Sequence, residues 1–129
     1  MNVQDLLAAT VADKAWNRKQ GRLIISRINK LFKNFPQTEY QVGINYYAPD
    51  KGYSLFFSIK KKGTYQRSIP LARYPNLSFT NLLAILTVVR QTYHFTFTYT
   101  NFTSEQRKQL YRKVDRQWFI FIVTLKPIR

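Results

Sequence analysis

The sequence predicts a two-layer α+β domain, in which helices pack on one face of a mostly antiparallel five-stranded sheet. Three observations carry this. Residues 39–71 (EYQVGINYYAPDKGYSLFFSIKKKGTYQRSIPL) alternate apolar and polar in three runs divided by two turn signals, the pattern of a meander. Apolar residues recur at helical spacing on either side of it, at 24–35 and 82–89. The run WFIFIVTL at 118–125 is almost entirely β-forming, as an interior strand would be. The 129 residues are enough for one core, and no repeat, linker or low-complexity stretch divides them. One domain over 1–129 is expected.

In chain order, Val3, Leu6, Leu7 and Val11 have weak helical spacing, giving a short helix or a loose N-terminal arm over 3–13. A stronger helix spans Lys14 to Phe35. Ile24, Ile25, Ile28, Leu31, Phe32 and Phe35 form its apolar stripe, and Pro36 stops it. Arg27, Lys30 and Lys33 fall on the far side, preceded by Lys14, Arg18, Lys19 and Arg22, with no acid between Lys14 and Asn34.

In the meander, Pro49-Asp50-Lys51-Gly52 is favourable turn chemistry, because Pro pre-sets φ and Gly supplies positive φ. A four-residue loop there pairs Tyr46 with Leu55, Ile44 with Phe57 and Val42 with Ile59, leaving one face apolar and the other mostly polar. A three-residue loop at Lys61-Lys62-Gly63 would set Ile59 opposite Tyr65 and Leu55 opposite Ile69. Arg67 would then lie on the core side with its head reaching out to solvent. A two-residue Lys62-Gly63 turn would put Tyr65 and Arg67 beside Lys60 on the polar face.

Ala72 to Leu77, containing Pro75, reads as a loop. Ser78 or Thr80 then caps a helix to about Thr92 whose Leu82, Leu83, Ile85, Leu86, Val88 and Val89 are apolar nearly all round, so it should be buried. Tyr93 to Thr100 alternates strictly, with Phe95, Phe97 and Tyr99 opposite His94, Thr96, Thr98 and Thr100, and is expected to be a strand. Thr103 with Gln106 forms a capping-box pattern, with Phe102 as its hydrophobic staple, before a helix over Ser104 to Arg116.

The charge balance bounds function most tightly. Twenty-one Lys and Arg against six acids give a net charge of +15 and a pI near 10.3. A field of that sign attracts polyanions. There is no cysteine, hence no disulfide framework or thiolate metal site. The N-terminal stretch lacks a signal-peptide layout and no apolar run is long enough to span a bilayer, so a cytoplasmic protein is expected. Catalysis is not expected. His94 is the sole histidine, the acids are scattered singly, and no phosphate loop or dinucleotide glycine pattern occurs. No cofactor or metal is implied.

The expected function is therefore non-enzymatic binding of nucleic acid through backbone phosphates. Three surfaces are candidates: Lys14, Arg18, Lys19, Arg22, Arg27, Lys30 and Lys33 on the second helix; Lys60, Lys61, Lys62 and Arg67 around a hairpin tip; and Arg107, Lys108, Arg112, Lys113 and Arg116 on the last helix. Tyr47, Phe56 and Tyr65 are the aromatics able to face outwards beside Lys60, where bases could stack on them. Aromatic RNP, GxxG, zinc-finger and helix-turn-helix patterns are absent, so the composition selects neither DNA nor RNA. The alternative is a small basic interaction module, a regulator or inhibitor docking an acidic protein or a nucleic-acid-handling enzyme. Docking on an anionic membrane through Gly21 to Phe35 ranks lower, because burial under the sheet already explains that stripe.

Overall fold

The computed structural model describes residues 3–116, with side chains from Asp13 onward; the strand expected at 118–125 lies outside these residues. Among them the fold is α+β, with one mixed four-stranded sheet and three helices. Helix α1 spans Val3–Leu31, so the two helices expected before the meander are one continuous helix of 29 residues. Strand β1 is Thr38–Tyr47, β2 is Gly52–Lys61 and β3 is Arg67–Tyr74. Helix α2 (Phe79–Thr92) leads to β4 (Thr96–Thr100), and α3 (Ser104–Leu110) continues as a π-helical turn over Tyr111–Asp115.

The sheet order is β3-β2-β1-β4, with β1, β2 and β3 antiparallel in sequence. Strand β4 runs parallel to β1, so among the described residues the sheet is four-stranded and mixed, where a mostly antiparallel five-stranded sheet was expected. The connection explains this. β3 and β4 flank a helix as a strand–helix–strand unit, which returns the chain in the same direction. β1 already runs parallel to β3, so β4 beside β1 is parallel to it.

The face assignment of the first hairpin holds, but its register is displaced by two residues: Ile44 pairs with Leu55, Val42 with Phe57 and Tyr46 with Tyr53. The turn sits one residue earlier, at Ala48–Lys51, with Lys51 in the left-handed region at φ 50°. Gly52 is needed for a different reason. A Cβ there would stand 2.4 Å from the Tyr74 carbonyl and 2.6 Å from Pro75 Cα, so glycine permits the close approach of β2 to the end of β3. The second connection is also longer than expected, since β2 ends at Lys61 and β3 starts at Arg67. Tyr65 therefore lies in the loop and does not pair with Ile59, whose partner is Arg67.

The core lies between the helices and one sheet face. Val42, Ile44, Leu55 and Phe57 from the sheet meet Ile24 and Ile28 of α1 and Leu82, Ile85, Leu86 and Val89 of α2. Asn17 and Gly21 extend the buried α1 stripe towards its N-terminus, beyond the residues the apolar spacing marked. At Gly21 a Cβ would come within 2.6 Å of Val88 on α2, so a side chain would push the helices apart. Gly21→Ala gains about 1 kcal/mol of helix propensity but incurs an overpacking cost of about 1–3 kcal/mol. We expect a net fall in Tm; a thermal melt in which the variant is more stable would contradict this contact.

Ser78 is the α2 cap, accepting a hydrogen bond from the Asn81 N–H. The capping box at Thr103 forms in both directions, from Gln106 N–H to Thr103 Oγ1 and from Thr103 N–H to Gln106 Oε1. Phe102 is not a staple: the position it would meet across the first turn is Arg107, and it stacks instead on Tyr53 at 5.7 Å. Tyr93 to Phe95 precede β4, and the alternation that marked them as strand reflects packing of Tyr93 and Phe95 with Phe32.

One buried polar cluster was hidden in the sequence. Arg90, with 5% of its side chain exposed, donates to the carbonyls of Tyr93 and Phe95 and pairs with Asp115 at 2.9 Å. Its guanidinium lies 3.7 Å from the centre of the Phe97 ring, and Tyr99 donates its hydroxyl to Asp115. Burial raises the Asp115 pKa above the ordinary carboxylate value, against the opposing hydrogen bonds from Tyr99 and Arg90. Tyr99 is also raised, by burial first and then by Asp115.

Tyr74 gives a pH-dependent prediction. Its hydroxyl donates to Gln20 Oε1, and burial pushes its pKa from 10.0 up to about 12, despite the opposing charge of Arg27. Folding favours the protonated form, so this contribution is whole below pH 10 and is lost as pH rises towards about 12. A Tm-versus-pH series should fall across that window, less steeply in Tyr74→Phe; identical slopes would assign the loss to other groups.

Candidate functional site

Two connections build a groove at one end of the domain. The first follows α1. The helix ends at Leu31, earlier than Pro36 suggested, and Asn34 turns into the left-handed region at φ 51°. The residue before a proline is disfavoured in helical conformation, which helps release the chain ahead of Pro36. Phe35 consequently leaves the core, is 59% exposed, and donates its N–H to the Tyr40 hydroxyl. The second connection is the β2–β3 loop, turned at Gly63 with φ 82° and closed by Thr64 N–H to the Lys61 carbonyl. The Lys62 N–H donates to the Gln37 carbonyl at 2.9 Å and fastens the two connections together.

The groove between them has a volume of about 550 Å³. Leu31, Tyr40, Ile59 and Ile69, all half-buried, supply apolar surface; Lys30, Lys33, Lys61 and Arg67 supply four exposed cations, and no acid lines it. Phe35 and Tyr65 add two aromatic rings, with Tyr65 95% exposed. The two ion pairs among the described residues, Arg73–Asp50 and Arg90–Asp115, draw on cations outside the groove. Chemically the groove offers positive charge to an anion, apolar surface to a weakly hydrated group and flat rings to a planar one.

The predicted residues divide accordingly. Lys30 and Lys33 of the helix come together with Lys61 and Arg67 of the hairpin, two clusters that were separate in the sequence. Lys14, Arg18, Lys19 and Arg22 are exposed along the preceding turns of α1 and do not line the groove. Arg27 instead donates to the Leu71 carbonyl. The triple lysine is split by strand alternation. Lys60 and Lys62 line a depression on the other side of the hairpin with Glu39, which pairs with Lys60 in register and offsets part of its charge.

Of the candidate stacking residues, Tyr47 lies beneath Arg73, whose guanidinium is 5.4 Å from the ring centre, and Phe56 is half-buried on the outer sheet face. Only Tyr65 reaches the groove, and Phe35, read from the sequence as core, joins it there. The third basic cluster forms a separate shallow shelf of Arg107, Lys108, Arg112 and the exposed Tyr111. Lys113 and Arg116 are exposed nearby in the chain, and Arg107 also donates to the Tyr99 carbonyl.

His94 is exposed, with its pKa lowered by desolvation and by Arg90, so the imidazole is neutral at pH 7. No group of three His, Asp or Glu side chains converges among the described residues. Nor, among them, is any helix long and apolar enough to cross a membrane.

No protein-family model, curated protein or solved structure matches this chain. The groove and its chemistry are therefore the basis for a functional reading.

Proposed function

We propose that this protein binds nucleic acid without catalysing a reaction on it, and that the groove between the end of α1 and the β2–β3 hairpin is the principal contact surface. One observation carries the reading: Lys30, Lys33, Lys61 and Arg67 converge on one groove with no acid among its lining residues. Four like charges brought together by folding repel one another, and a polyanion relieves that repulsion while releasing its own condensed counterions. The net charge of +15 acts at longer range, raising the local concentration of any polyanion.

The test is fluorescence anisotropy of labelled DNA and RNA across a salt series. Log K should fall linearly with log salt, with a slope of about −0.7 for each phosphate neutralised on single strands or −0.9 on duplex. Absence of binding at low salt would refute the reading. Affinity unaffected by salt would also contradict it, since phosphate contact is the proposed source of binding.

A further inference from the structure

Resting on that reading, we propose that the groove selects single-stranded over double-stranded nucleic acid, with Phe35 and Tyr65 stacking on unpaired bases. The argument lies in what duplex would leave unused. A duplex presents phosphates and sugars on its exterior, and its base faces are already stacked inside. Cations alone would suffice to hold it. This groove spends much of its lining on apolar surface from Leu31, Ile59 and Ile69, and places two largely exposed rings beside that surface. Single strands offer both complements at once: a phosphate backbone for the rim and free π-faces for the rings.

The two rings also come from positions suited to receiving a base. Each lies in a connection outside regular structure, and the connections are fastened by the Lys62 N–H to Gln37 carbonyl bond and by Phe35 N–H to the Tyr40 hydroxyl. The backbone is thus anchored at Phe35 itself and, for Tyr65, at Lys62 three residues earlier in the same loop, while both ring surfaces remain open. Stacking of this kind tolerates any base, so it predicts strand selectivity without strong sequence preference.

The experiment compares a labelled oligothymidylate of about 12 nucleotides, within the ~4–16-nucleotide range of single-strand sites, with a duplex of equal length at one salt concentration. Wild-type protein should prefer the single strand. Phe35→Ala and Tyr65→Ala should each weaken single-strand binding at least about five-fold, the lower end of base–aromatic stacking, and change duplex binding much less. Tyr65→Trp keeps a flat ring and should retain the preference. Both positions are exposed, so unchanged thermal melts will establish that the alanine variants fold. Equal or tighter duplex binding would overturn the proposal, as would alanine variants that bind the single strand normally. In either case the broader nucleic-acid reading survives. If wild-type protein binds neither ligand, both fall.

Discussion

Reversal of the four groove cations, in a protein carrying Lys30→Glu, Lys33→Glu, Lys61→Glu and Arg67→Glu, is expected to abolish measurable nucleic-acid binding near physiological salt. At low salt, where residual binding remains measurable, the slope of log K against log salt should shrink by about 2.8, the sum for four single-strand phosphate contacts at ~0.7 each. General attraction must be separated from the groove itself. A second variant reversing Arg107, Lys108, Arg112 and Lys113 carries the same net charge and alters a surface that shares no lining residue with the groove. It should retain most of the affinity. Equal losses in the two variants would mean that the overall field, and not the groove, binds the ligand.

The second large effect concerns stability. Asp115→Ala removes the carboxylate facing Arg90, a side chain with 5% exposure, and also the acceptor of the Tyr99 hydroxyl. Breaking a buried ion pair by deleting one partner costs about 3–5 kcal/mol. The lower end, about 3 kcal/mol, is expected here because 27% of the Asp115 side chain remains exposed. The double variant Arg90→Met with Asp115→Ala should recover much of the loss, since a buried charge no longer lacks its partner and the Met sulfur can pack on Phe97. Denaturant melts of the two single variants and the double variant would measure this coupling. Additive losses would show that the pair contributes nothing beyond its separate side chains.

Much of the fold was legible because strand parity is robust. The alternation at Val42, Ile44, Leu55 and Phe57 identified the core face even though the register was displaced. The register differs from the expected one because Lys51, and not the glycine, takes the left-handed turn position, whereas Gly52 already belongs to β2 and admits the backbone of Tyr74 and Pro75. Direction was harder to read, since nothing local in TFTYT distinguishes parallel from antiparallel pairing; the helix before it decides.

The site was legible only in pieces. Lys30 and Lys33 were visible as a helix face, and Lys61 as part of a lysine run, but they meet only once β1 pairs with β2 and the Lys62 N–H reaches the Gln37 carbonyl. Phe35 looked like the last member of an apolar stripe. Its release into solvent follows from the early helix end and the turn at Asn34. Arg90 and Asp115 are 25 residues apart, so their pairing is not local in the sequence. An arginine ending an otherwise apolar helix, with an acid just after Val114 on another helical segment, was the signal available.

The central claim is most directly tested by ultraviolet cross-linking of bound oligothymidylate followed by peptide mapping by mass spectrometry. Cross-links should fall on Phe35 and Tyr65, on the two connections that frame the groove. Cross-links confined to Tyr111 on the late helical shelf, or to Tyr47 and Phe56 on the outer sheet face, would contradict the account.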